Sequence, residues 1–155
     1  MGRTRIAALA TSALAAVAPA AGCGSSPKPL TRAQLTSRAD AICRAVKAKI
    51  EAANKGGSAN TPQQLERLTA KISRFEQAAL VELAKLVPPQ ALEADWKRFV
   101  AGAQTLAEDT VNLGEYAAAK NQAAARRLIG AAEATQKQMA AIAKRNSLKD
   151  CEQVP

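Results

Sequence analysis

The feature that most constrains this chain is a run of apolar residues held between two sets of helix punctuation. Leu65, Leu68, Ile72, Phe75, Ala79, Leu83 and Leu86 recur at steps of three or four, which is the period of one face of an α-helix. Thr61-Pro62 opens the run with a cap residue and a proline at the first helical position. Pro88-Pro89 closes it, because proline disfavours helix in the residue before it and has no backbone N–H to donate. An amphipathic helix of this kind has to bury its stripe against other elements, and the remaining sequence offers helices for the purpose.

A first segment spans about Thr31 to Ala53. It opens on Thr31-Arg32-Ala33-Gln34, a capping-box pattern, and carries Leu35, Ala39, Ile42, Val46, Ile50 and Ala53 at helical spacing. A third follows Pro88-Pro89, with Leu92, Trp96, Phe99, Ala103, Leu106, Thr110, Leu113 and Ala117 on one stripe to about Lys120. Asn121 caps a fourth, on which Ala124, Leu128, Thr135, Met139 and Ile142 face inward until the repeat dissolves at Asn146-Ser147. Residues 117–125 hold no strong breaker, so one long bent helix is the alternative to separate third and fourth segments. About a quarter of the residues are alanine, the strongest helix former, and no strand pattern competes. With short connections, the economical arrangement is an all-α, up-down four-helix bundle over residues 31–155.

Upstream of the bundle the composition changes character. Met1 to Arg5 carries two arginines, Ile6 to Ala18 is a largely apolar run of 13 residues, and Pro19-Ala20-Ala21-Gly22 supplies small side chains. This is an export signal, and its apolar run is shorter than the ~20 residues that span a bilayer core. Ala20-Ala21-Gly22-Cys23 resembles the lipobox of bacterial lipoproteins. The resemblance implies that residues 1–22 are a cleaved signal peptide, that Ala20, Ala21 and Gly22 are read by the peptidase, and that the Cys23 thiol carries diacylglycerol. That family more often has a larger aliphatic residue where Ala20 stands. Ala18-Pro19-Ala20 also fits the Ala-x-Ala pattern of the general signal peptidase, which would release a soluble secreted protein instead. Residues 23–30 then form a lipidated tether, since Gly24-Ser25-Ser26-Pro27-Lys28-Pro29-Leu30 has a linker composition and reaches at most about 25 Å.

The chain holds three cysteines. If Cys23 takes lipid, Cys43 and Cys151 remain as a pair, and an exported protein meets the oxidising conditions that favour a disulfide. Such a bond would fasten the C-terminal tail to the first helix; two free thiols, one buried and one exposed, are the alternative. Ala39-Asp40-Ala41-Ile42-Cys43, then Leu83-Ala84-Lys85-Leu86-Val87-Pro88-Pro89 with Trp96 and Phe99, then Leu148-Lys149-Asp150-Cys151 together resemble a group of small α-helical lipoproteins and secreted proteins of Gram-positive bacteria. The resemblance covers most of the mature part. It implies architecture and a place on the extracytoplasmic face of the cell membrane, and it carries no activity.

Chemistry is constrained mainly by what the sequence lacks. There is no histidine, so the commonest general base and transition-metal ligand are missing, and the Glu-x-x-His motifs of di-iron bundles cannot be assembled. Haem attachment through Cys-x-x-Cys-His and phosphate-cradling Gly-x-x-x-x-Gly-Lys-Ser/Thr loops are absent as well. No cofactor and no metal are expected. Glu76, Glu82, Glu108, Asp109, Glu115 and Glu133 read mostly as surface partners of nearby cations, for instance Glu133 with Lys137. An envelope hydrolase built on paired carboxylates is therefore the weakest reading.

The mature part keeps twenty basic against thirteen acidic residues, a moderate excess compatible with anionic lipid or envelope polymer, and nucleic acid is not an expected partner. Arg126, Lys137 and Lys144 lie along one side of the last segment, as a face toward an anionic membrane or as ordinary solvated charge. Trp96 and Phe99, on one face beside Pro88-Pro89, are either core or the wall of a ligand pocket. The expected function is that of a non-enzymatic binding or structural lipoprotein, with a protein, lipid or anionic envelope polymer as partner.

Overall fold

Each of the four stripes forms its own helix. A computed structural model describes residues 28–56 and 59–152, and within them lie α1 (Arg32–Lys55), α2 (Pro62–Ala84), α3 (Glu93–Ala118) and α4 (Gln122–Arg145). A single 3₁₀ turn, Gln90–Leu92, leads into α3. No strand occurs among the described residues. The expected leader, with Ala20, Ala21, Gly22 and Cys23, lies outside them.

The helix ends follow from specific side chains. The Gln34 N–H donates to Thr31 Oγ1 at 3.2 Å while Gln34 Oε1 accepts from the Thr31 N–H at 3.0 Å. α2 opens with the same reciprocal box: Gln64 N–H to Thr61 Oγ1 at 3.2 Å, and Thr61 N–H to Gln64 Oε1 at 3.0 Å. Each box satisfies two backbone groups that a helix start leaves unpaired.

The third and fourth segments are separate helices. Lys120 adopts a left-handed φ of 55°, and the N–H groups of Asn121 and Lys120 donate back to the carbonyls of Tyr116 (2.8 Å) and Ala117 (3.0 Å). This is the Schellman pattern that ends helices, here with lysine at the position glycine usually takes. Asn121 Oδ1 then accepts from the Ala124 N–H at 3.1 Å and starts α4.

α4 ends the same way, with Ser147 at φ 62° and Leu148 N–H donating to Ala143 O at 2.9 Å. The turn swings Leu148 into the core, where it is 1% exposed.

Packing runs in sequence order, α1 on α2, α2 on α3 and α3 on α4, as short connections require. No α1–α4 pair of Cα atoms among the described residues lies within 8 Å. The C-terminal segment spans that fourth side. Cys151 is disulfide-bonded to Cys43, with Cα atoms 5.1 Å apart. Asp40 Oδ1 accepts from the Asp150 N–H at 3.0 Å, and Arg44 pairs with the Asp150 carboxylate at 3.3 Å. Around this staple lies one continuous apolar cluster that includes Leu35, Ala39, Leu83, Leu92, Trp96, Phe99, Ile142, Ala143 and Leu148.

The α2–α3 seam at the other end is built differently. Its buried α2 residues are Thr69 and Ser73, whereas Leu65, Leu68, Ile72 and Phe75 of the expected stripe are only half-buried. Thr69 lies against Gly114, and Ser73 Oγ donates to the Ala107 carbonyl at 3.2 Å. Small residues at these crossings let two helix backbones approach closely, so periodicity of large apolar residues does not mark them.

Candidate functional site

The segment that leads into α1 meets the body at the α2–α3 turn. The Leu30 N–H donates to the Val87 carbonyl at 2.9 Å, and the Leu30 side chain packs against the apolar cluster. The last residue of the expected tether is thus drawn into the body. Beside this contact runs a groove of about 600 Å³, lined by the apolar residues Pro29, Leu86, Val87, Pro88, Trp96 and Val100 and by the exposed polar residues Gln90, Glu93, Lys97 and Gln104. Such a volume falls in the range of small-molecule sites, roughly 300 to 1,000 Å³. Glu93 and Lys97 pair with each other at 2.7 Å, and that bond to Lys97 holds the Glu93 carboxyl below its ordinary range.

Trp96 and Phe99 serve the core first. Their rings stack with centroids 5.7 Å apart, and both are buried, Phe99 to 1% exposure. Only Trp96 reaches the groove. Core and pocket wall, the two readings of this pair, therefore combine at Trp96.

The interior holds a second feature. Glu76 lies among apolar neighbours facing a space of about 40 Å³, together with Ile42, Val46, Leu83, Phe99 and Met139. That space is of the order of a few water molecules and too small for an organic ligand. One Glu76 carboxyl oxygen is buried without a hydrogen-bond partner. Burial pushes its pKa above the usual carboxylate value, and a contact with the Thr110 hydroxyl opposes this more weakly.

Glu76, Asp109 and Glu133 border one crevice of about 180 Å³ between α2, α3 and α4. Asp109 is also raised, by burial and then by neighbouring Glu108. The acidic residues are thus not all surface partners of cations: Glu82 does pair with Lys85 at 2.6 Å and Glu133 is exposed, whereas Glu76 has a buried carboxyl oxygen. No group of three His, Cys, Asp or Glu side chains among the described residues is placed to hold a metal ion.

Cys43 and Cys151, expected as a pair, are bonded. Arg126, Lys137 and Lys144 all lie exposed on α4. Asp95 was not among the residues the sequence singled out. It accepts from Asn146 Nδ2 at 3.1 Å and from Arg145 at 3.2 Å, ties α3 to the end of α4, and is held below its ordinary pKa by those bonds, Asn146 first. Nothing in helical spacing pairs residues fifty positions apart, so only the folded geometry reveals it.

No family model, curated protein or solved structure matches this chain.

Proposed function

We propose that this protein is a bacterial lipoprotein, acylated at Cys23 and held on the extracytoplasmic face of the membrane, whose helical body works by binding rather than by catalysis. The observation that carries the reading is the Cys43–Cys151 disulfide. It uses two of the three cysteines and leaves Cys23, directly after the small residues Ala20-Ala21-Gly22, with no cysteine of its own chain to pair with. The lipobox pattern gives that thiol a use.

Other features are consistent with a lipid anchor. No helix among the described residues is long and apolar enough to cross a membrane. A thioether-linked diacylglycerol and an amide-linked chain together provide more than one acyl group, and two or more chains anchor stably where one does not. The chemistry of the body favours recognition over turnover: the sequence has no histidine, and the two spaces that Glu76 borders, about 40 and 180 Å³, fall below the roughly 300 Å³ at which ordinary small-molecule sites begin. The class of partner we favour is a lipid, protein or anionic polymer of the cell envelope.

Fractionation of cells expressing the full chain tests the anchor. Wild type should sediment with membranes and leave them only with detergent. Cys23→Ala should appear in the medium or in a soluble fraction with its Cys43–Cys151 bond intact. Release of the wild type without detergent would instead favour cleavage after Ala18-Pro19-Ala20 and a soluble secreted protein.

A further inference from the structure

We propose that the groove beside the α2–α3 turn seats one acyl chain of the lipid on Cys23, so that the helical body is held against the membrane in a fixed orientation. The inference rests on acylation of Cys23 and goes beyond it, because a tether alone sets a distance and not an orientation.

Position is the first support. The groove wall contains Pro29, part of the tether, and Val87, whose carbonyl accepts the Leu30 N–H at 2.9 Å. The chain leading back to Cys23 therefore departs from the rim of the groove. Cys23 lies six positions before Pro29, at most about 20 Å even if fully extended. A lipid on that sulfur is confined near the groove at the high effective concentration that a short linker imposes.

Chemistry is the second. The walls formed by Leu86, Val87, Pro88, Trp96 and Val100 are apolar, and Leu86, Val87, Pro88 and Val100 are only half-buried. An apolar occupant would complete their removal from water. The intervening polypeptide, Gly24-Ser25-Ser26-Pro27-Lys28, has one apolar side chain to offer and cannot fill a groove of about 600 Å³. The acyl chains are the apolar groups within reach.

Thermodynamics permits the exchange. A chain that moves from bilayer to groove passes between two apolar surroundings, while the remaining chains keep the protein in the membrane.

The test uses the full chain in a bacterial host supplied with a fatty acid bearing a terminal diazirine, so that the anchor itself carries the photoreactive group. After irradiation of membranes, the peptide containing Cys23 should be found joined through its acyl chain to the peptide containing Trp96 and Val100. Ala101→Glu, at an exposed position on the same wall, and Val100→Glu should each lower that product at least fivefold without loss of membrane retention. Because Ala101 is exposed, its variant keeps the test valid should Val100→Glu fail to fold.

Acylated protein, identified by intact mass, whose Trp96 peptide carries only phospholipid adducts would assign the groove to a leaflet lipid and overturn the proposal. Acylated protein with no label in the groove would overturn it too, and in both cases the lipoprotein reading would stand. Protein bearing no acyl mass at Cys23 would remove both.

Discussion

The two ends of this bundle are held together by different means. At the stapled end, Leu35, Trp96, Phe99, Ile142 and Leu148 pack in one apolar cluster, and the Cys43–Cys151 bond closes the side on which α1 and α4 do not meet. At the far end of the α2–α3 seam, Thr69 lies against Gly114 and Ser73 bonds the Ala107 carbonyl, with Glu76 partly buried between the two regions. Large apolar residues give the first region most of its stability through area removed from water. The second gains close backbone approach and specific hydrogen bonds, each of modest net value, about 0.5 to 1.5 kcal/mol. The contrast implies that the stapled end unfolds last, and that substitutions in the two halves follow different rules.

The largest effect should come from Phe99→Ala. The ring is 1% exposed at the centre of the cluster, and truncation of such a residue typically costs about 3 to 5 kcal/mol. Chemical denaturation would show it as a lower midpoint with unchanged cooperativity. A loss under about 1 kcal/mol would mean that the stapled end is not the principal core. Replacing both Cys43 and Cys151 by Ser should cost about 2 to 5 kcal/mol, since the loop closed by the bond is 108 residues long. Hydrogen exchange should then quicken first in the C-terminal segment, Leu148 to Cys151, because that segment bridges α1 and α4. Uniform acceleration along all four helices would argue against a local staple.

Gly114→Ala probes the other end. An added Cβ would sit 2.1 Å from Thr69 Oγ1 and 3.3 Å from the Glu66 backbone, so either the Thr69 hydroxyl gives up its bonds to the Leu65 and Glu66 carbonyls or the helices part, at about 1 to 3 kcal/mol. Gly130→Ala is the matched control. Nothing lies within 4 Å of its added methyl, and it should stabilise by about 0.5 to 1 kcal/mol through helix propensity. Equal effects at the two glycines would remove the argument for a tight α2–α3 seam.

The smallest predicted effect is one of pH. The folded pKa of Glu76 is raised above 4.5, chiefly by burial. Its contribution to stability is therefore full when the carboxyl is protonated in both states, below the unfolded value. It is lost as pH rises through the folded value, where the native state must ionise a desolvated carboxylate. Glu76→Gln should remove this dependence, so the difference in stability between variant and wild type should shift in favour of the variant from about pH 4 to about pH 7. A difference that does not change with pH would mean the carboxyl is solvated in the native state.

The same contrast explains what the sequence discloses. Large apolar residues at helical spacing mark the stapled end directly: Leu35, Ala39, Trp96, Phe99, Met139 and Ile142 are on the expected stripes and are buried. The Thr31 box and the pairing of Cys43 with Cys151 are legible too. The α2–α3 seam is not, because Thr69, Ser73 and Gly114 are as compatible with a solvated face as with a close crossing. The break between α3 and α4 rests on a left-handed lysine, Lys120, a residue type that gives no warning of that conformation. Glu76 carries the same lesson. A carboxylate reads as surface until the fold encloses it.

The groove was legible only in part. Trp96 and the Pro88-Pro89 turn point to it, but Pro29 joins its wall through a contact between residues 30 and 87 that no local pattern specifies.

The most direct test of the account is the intact mass of mature protein extracted from membranes, measured after alkylation without reduction. A polypeptide beginning at Cys23, heavier than its sequence by the mass of two or three acyl groups with their glycerol, and unalkylated because Cys43 and Cys151 are bonded, is the predicted result. A polypeptide that begins upstream of Cys23, or one whose Cys23 is alkylated as a free thiol, would contradict it.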